Sequence, residues 1–484
     1  MNTNKIVPFF FLSLLLPLTG TSQNLSLPDA VQSALSTHPK LKQMESRKEQ
    51  KSDLTKSSWG NYLPSVSVQG TYNRLNGPLE INLSPVREVI LQLQSKNSAE
   101  IKNLYGITQG AGSMTDAQKA QVAAGAYQQL DKSIPAFVES VKDQTYPSAN
   151  ITAVQPLFTG GKLLAASGFA RAEEVAADAE FRKTREDIIL ETTKSYCTVL
   201  LMQSVVETRK QVLDGMKIHL KQAIKAESEG LISYQQRLRA EVAVSDADQN
   251  LSADQNNLDL ALTAFKSVAG IPESAVISLT DSLFFRELSD SVQLAGSGFS
   301  HQPVLSLLAA KEQSAVMGSR VKLSEFMPTV ALFGRYELFP DDLSVLEPKW
   351  IVGVSLSMNL FRGGSSYYDW QAAKSQVDEV KFARKEAERQ ISLWMSKSWQ
   401  TQKSAASRYQ NLAVNVKLAQ ENLRVAETRF KAGMATSLDV IDARLVLEKN
   451  QIDRHQALFT YQTSVADCYA AAGLSDQILT WWLK

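Results

Sequence analysis

The chain has 484 residues and a net charge of +1, from 51 Lys and Arg against 50 Asp and Glu. That balance gives no support to nucleic-acid binding, which needs a concentrated basic surface. Two cysteines are too few for a disulfide framework; Cys197 and Cys468 both sit in helical patterns and read as buried thiols.

In chain order, residues 1–23 read as a secretory signal peptide. Lys5 precedes an apolar run from Ile6 to Leu18, too short to cross a bilayer as a helix, and cleavage is expected near Ser22 to Asn24. No later stretch approaches the roughly 18 apolar residues of a transmembrane helix. A helix is predicted from about Leu27 to Tyr62. The pattern then changes to strict alternation, with Val66, Val68, Gly70 and Tyr72 set against Ser65, Ser67, Gln69 and Thr71. Residues from about 78 to 145 form an insertion with two predicted helices, Ser84 to Asn103 and Thr115 to Val141. The second opens on a Thr115-x-x-Gln118 capping box, and Gly106, Gly110 and Gly112 break the pattern. A second, weaker strand runs from Ser148 to Leu157. It ends in Leu157-Phe158-Thr159-Gly160-Gly161, after which Lys162 to Glu229 reads as one helix without proline. Gly230-Leu231-Ile232-Ser233 turns the chain into a return helix, Tyr234 to Ala269.

After residues 271–300, a linker, the same order begins again. Helix His301 to Phe326 leads to a strand with Val330, Leu332, Gly334, Tyr336 and Leu338. The next strand is the clearest in the chain, with Trp350, Val352, Val354, Leu356 and Met358 against Gly353, Ser355, Ser357 and Asn359. Leu360-Phe361-Arg362-Gly363-Gly364 repeats the earlier pentapeptide at an offset of 203 residues. Gly433-Met434-Ala435-Thr436 repeats Gly230 to Ser233 at the same offset, and Ala472-Gly473 repeats Ala269-Gly270. The earlier matches, Pro39 to Pro303 and Tyr72 to Tyr336, stand 264 apart, so the difference of 61 residues lies in the insertion. The chain is one unit written twice, residues 24–270 and 301–484.

An apolar row backed by a small polar row suits a strand with lipid on one side and a wet lumen on the other. Taken alone it better suits a half-buried strand of a soluble sandwich. The export signal, the strand lengths of about ten and the aromatic residues Tyr72 and Trp350 near strand ends favour an outer membrane. Four strands cannot close a barrel in lipid, where open edges are not tolerated, so copies of the chain must complete it; three would supply twelve strands. The helices after Gly161 and Gly364, up to Lys431 in the second copy, each extend roughly 100 Å at about 1.5 Å per residue. Tyr409, Leu412, Val416, Ala419, Leu423, Ala426 and Phe430 form a coiled-coil seam, and Val414, Leu418 and Val425 form another on an adjacent face. Two seams imply a neighbour on each side. In the first copy Val199, Val206, Leu213 and Leu220 make a matching row.

These pieces together resemble the TolC-like outer-membrane efflux family, over essentially the whole mature chain except the insertion. The residues that carry the resemblance are the turns Leu157 to Gly161 and Leu360 to Gly364, Arg429 to Ala443, and their partner beginning at Ala226. The resemblance implies an α+β membrane protein: a long α-helical coiled-coil barrel plus four β-strands per protomer, completing a trimeric twelve-stranded outer-membrane β-barrel, with internal duplication. It implies a homotrimer in the lipid of a Gram-negative outer membrane, extending through the periplasm. The function implied is a passive exit duct, without catalysis or cofactor, for a tripartite efflux pump or type I secretion system. Its partners would be a periplasmic adaptor and an inner-membrane pump.

The strand-to-helix junctions are then Gly160, Gly161, Gly363 and Gly364. The adaptor-docking tips are Gly230, Leu231, Ile232 and Ser233 with Gly433, Met434, Ala435 and Thr436, although a glycine helix stop explains Gly230 and Gly433 by itself. Asp439 and Asp442 share a helix face just past the second tip, and in a trimer they would form two carboxylate rings at a periplasmic gate. The same aspartates also suit an ordinary first helical turn. Gln236 takes the place of Asp439 in the first copy, a departure from the commoner family pattern. A soluble periplasmic coiled-coil scaffold is the alternative, which leaves the four strands without a role. The histidines, His38, His219, His301 and His455, are scattered, and no zinc spacing, phosphate loop or nucleophile elbow is present.

Overall fold

The computed structural model describes residues 23–288, 301–344 and 346–483. Residues 1–22, within the expected signal peptide, and residues 289–300, within the expected linker, lie outside them. The chain divides into two compact units. The first comprises Met1–Ser57, Leu164–Lys322 and Tyr367–Lys484; the second comprises Ser58–Leu163 and Leu323–Ser366.

The first unit is helical. Its elements are β1 (Gln23–Leu25), α1 (Leu27–Thr37), α2 (Pro39–Gly60), α5 (Lys162–Ser228), α6 (Tyr234–Ala269), β6 (Ile277–Leu279), α7 (Pro303–Leu323), α8 (Ser365–Lys431), α9 (Ser437–Ala471) and α10 (Asp476–Leu483). Helices α5 and α8 have 67 residues each. The predicted helix from Leu27 to Tyr62 is in fact two. His38 precedes Pro39 and adopts an extended backbone at ψ 120°, because the proline ring excludes the helical region there. The predicted seam is buried at Leu412, Val416, Ala419, Leu423, Ala426 and Phe430, while Leu418 of the adjacent seam is 65% exposed.

Residues 271–288 are not a free tether. Strand β6 pairs in parallel with β1, and both join a core that includes Tyr196, Phe265, Tyr461, Trp481 and Trp482. Asp281 organises that core by accepting from the Leu27 amide (3.1 Å), the Tyr196 hydroxyl (2.7 Å) and the Trp482 indole (3.1 Å). Both cysteines are free and buried, and burial pushes their thiols up to about 12.

The second unit carries a four-stranded antiparallel sheet in the order β2 (Ser65–Arg74), β5 (Thr145–Phe158), β7 (Thr329–Glu337), β8 (Trp350–Ser357). Register explains why alternation is weak in β5. Its two prolines blur the pattern, and Pro156 sits at a bulge, where a missing amide is tolerated. Across the sheet, however, Val68, Ile151, Tyr336 and Trp350 align in one row, and Val66, Ala153, Gly334 and Val352 in the next. The opposite face aligns Ser67 with Thr152 and Arg335, and Gln69 with Asn150 and Glu337. One face of the sheet is therefore largely apolar and the other mixed, with Val154, Phe333 and Ile351 among its polar residues, and among the described residues neither β2 nor β8 has a partner on its outer edge.

The insertion holds β3 (Leu79–Asn82), α3 (Ser84–Thr108), α4 (Asp116–Ser133) and β4 (Val138–Lys142). Helix α3 runs through Gly106 and stops before Gly110 and Gly112, which take positive φ. The Thr115–Gln118 capping box is present. Helix α4 stops eight residues before the predicted end, because Pro135 holds Ile134 extended at ψ 115°. The remainder is β4, which pairs antiparallel with β3. At the base, Lys142 pairs with Glu347 of the β7–β8 turn at 2.6 Å.

Candidate functional site: the helix tips

The long helices end in the same way. Gly230 (φ 73°) follows α5 and Gly433 (φ 70°) follows α8, conformations that cost a side chain about 1–2 kcal/mol. The Leu231 amide donates to the Ala226 carbonyl at 2.8 Å, and Met434 does the same to Arg429 at 2.8 Å, so each turn uses up a free carbonyl of its helix. Ile232 and Ala435 tuck against an apolar cluster that includes Ala223, Ala240, Phe430 and Val440. Leu231 and Met434 are left exposed at 60% and 65%.

A hydroxyl begins each return helix. Thr436 accepts from the Asp439 amide (3.3 Å), and the Asp439 carboxylate accepts in return from the Thr436 amide (2.6 Å) and hydroxyl (2.8 Å). These bonds from Thr436 hold the Asp439 carboxyl below its usual range. Asp442 is exposed and makes no hydrogen bond or ion pair among the described residues; both aspartates line a groove with Arg429 and Met434. At the first tip, Ser233 accepts from the Gln236 amide at 3.4 Å, but the Gln236 side-chain oxygen is buried without a partner.

Arginines on the return helices tie them to the long ones. Arg237 pairs with Glu227 at 2.8 Å, and Arg444 pairs with Glu427 at 2.5 Å. Farther from the tips, Arg209 on α5 reaches Asp254 of α6 at 2.8 Å and also Glu448 of α9, so one residue holds both return helices. His219 on α5 lies against Phe430, and its Nε2 is 2.8 Å from the Ser437 hydroxyl. Burial first, and then the charge of Arg444, push this imidazole down to about 4. Gly215 makes room for Arg444: a Cβ there would fall 1.7 Å from a guanidinium nitrogen. None of these contacts was foreseen from the sequence. A glycine inside a 67-residue helix, where it costs about 1 kcal/mol against alanine, was the one available signal.

In the second unit, Gly160, Gly161, Gly363 and Gly364 all have positive φ, at 60°, 83°, 62° and 81°. Their backbone roles match, but Gly160 is also crowded, since a Cβ there would meet Met327 at 2.3 Å, whereas nothing lies within 4 Å at Gly161 or Gly363. No described helix is long and apolar enough to cross a membrane. No group of metal-binding side chains is found among the described residues.

Several solved structures share this fold. The outer membrane protein VceC from Vibrio cholerae aligns with a TM-score of 0.70 and 16% identity, covering 92% of this chain and 96% of that one. The Campylobacter jejuni CmeC outer membrane channel gives 0.71 and 13%, covering 93% and 86%. The open state of the Neisseria gonorrhoeae MtrE outer membrane channel gives 0.68 and 15%, covering 93% and 89%. No curated protein sequence matches the chain. The sequence does match the family described as Outer membrane efflux protein, over residues 122–270 and 300–474. With both copies matched over more than half of its length, the chain belongs to the outer membrane efflux protein family, whose members are passive channels and not enzymes.

Proposed function

We propose that three copies of the chain form an exit duct, a twelve-stranded barrel in the outer membrane continued by a periplasmic barrel of helices, serving a tripartite efflux pump or a type I secretion system. The observation that carries this reading is the two-faced sheet with unpaired edges at β2 and β8, joined by glycine turns to 67-residue helices. A continuous apolar face and two open edges suit closure by identical neighbours in lipid. A soluble periplasmic scaffold leaves that face unexplained. Fractionation separates the two: the duct needs detergent for extraction and runs as a heat-sensitive trimer, whereas a protein that stays soluble without detergent overturns it.

In this reading the copies 24–270 and 301–484 each supply two strands, one long helix and one return helix. The tips dock a periplasmic adaptor, with Leu231 and Met434 as its apolar contacts. Leu231→Asp with Met434→Asp is expected to abolish efflux while leaving the trimer intact. At the gate, the free Asp442 sets the charge of the entrance, and Asp439 acts mainly through its helix cap. Asp442→Asn trimers are therefore expected to lose cation preference in single-channel recordings. Unchanged preference removes the gate role.

A further inference from the structure

The mixed face of the sheet is open along much of its length and covered at one end. Ser67, Gln69, Thr71, Arg335 and Ser355 are exposed on it, whereas Asn73 and Glu337, at the end that carries the insertion, are not. Glu337 is 5% exposed, although its chain neighbours Tyr336 and Leu338 are 53% and 42% exposed. Asn73 is likewise half-buried between exposed Tyr72 and Arg74. Successive side chains of a strand point to opposite faces, so the cover lies on the mixed face.

The base of the insertion leans over that end. Tyr146 pairs with Asn73 across β2 and β5 and so shares its face. Lys142, the last residue of β4, lies over the Tyr146 ring, 4.4 Å from its centroid, a favourable place for a cation. The same ammonium donates to both carboxylate oxygens of Glu347, at 2.6 and 2.8 Å. A cavity of about 300 Å³ remains there, lined by Lys142, Tyr146, Glu139, Asp143, Asp341 and Asp342. Among the described residues that line it, Lys142 is the one cation against four carboxylates, two from the insertion and two from the connection between β7 and β8. Like charges on the two sides repel, and Lys142 is the group that bridges them. Its side chain is only 12% exposed, so salt screens the pair weakly.

We propose that Lys142 and Glu347 latch a strap across the mixed face, and that this strap limits the size of what passes the outer mouth of the duct. The inference rests on the duct reading above, in which the mixed face lines the lumen and each copy contributes one strap. Its test uses the full chain in intact cells, where the native Cys197 and Cys468 are buried. Gln69→Cys, on the open part of the mixed face, is labelled from outside with a small charged maleimide and with a maleimide carried on a long polyethylene glycol chain. Lys142→Ala and Glu347→Ala, each added separately, are expected to speed the polymer label several-fold and to leave the small label unchanged. Lys142→Arg keeps both contacts and should stay at the parent rate. Gln128→Cys, exposed on α4, should take both labels in every background. Polymer labelling at position 69 that neither alanine variant speeds overturns the strap and leaves the duct standing. Labelling of Gln128→Cys only in broken cells overturns the duct reading, and the strap with it.

Discussion

At both tips a glycine with positive φ ends a 67-residue helix and a hydroxyl caps the helix that follows, but the third residue of that helix is bound at one tip and not at the other. Asp439 returns two bonds to Thr436, whereas Gln236 returns none to Ser233. The second tip also rests on α5 of the first copy through His219 and Ser437. Duplication has preserved the path of the chain and let the chemistry along it diverge. The backbone demands are met by glycine and a hydroxyl alone; the residue three positions on is free to become a lock on one side only.

The comparison can be broken most forcefully with acid. His219 is held down to about 4 from an ordinary 6.5, so as pH falls the unfolded chain takes up the proton first. Stability is then lost between about pH 6.5 and 4 and is flat above, by at most about 3 kcal/mol. Amide exchange at the start of α9 should accelerate over that window and exchange at the start of α6 should not; His219→Gln should abolish the difference. Equal acid sensitivity of the two tips contradicts the assignment.

Gly215→Ala comes next. Its methyl group must displace Arg444 from Glu427, a net cost of about 1–2 kcal/mol after the gain in helix propensity. A thermal midpoint at or above wild type counts against the close approach. Thr436→Ala should cost about 1 kcal/mol, and Ser233→Ala less, because it breaks no reciprocal bond. Local exchange in the first turns of α9 and α6 reads both. The smallest effect should come from Gln236→Glu, which supplies the missing return bond and should stabilise the first tip by about 0.5 kcal/mol. If it destabilises, the open cap is not what distinguishes the tips.

What could be read in advance followed the range over which the signal acts. Helices α5, α6 and α8 were visible because periodicity and punctuating glycines are local, and their observed ends fall within a residue or so of those predicted. The errors were local signals passed over: Pro39 splits the leading helix, and Pro135 converts the end of the predicted α4 into β4. Arg209, Gly215, His219 and Arg444 were of another kind. Arg209 reaches Glu448, His219 reaches Ser437 and Gly215 faces Arg444, each more than 200 residues away, and no spacing rule connects such pairs. Strand β5 fell between these cases, legible only once its neighbours supplied the register.

The sheet has one more property, which is arithmetical. Strands β2 and β8 run in opposite directions because the antiparallel strands between them are even in number. In a ring, β8 of one copy therefore meets β2 of the next antiparallel, whether the ring holds two copies, three or five. Strand pairing is indifferent to the size of the assembly. In the ring proposed above, strand pairing therefore leaves the number of copies to the long helices and their buried and exposed seams on α8.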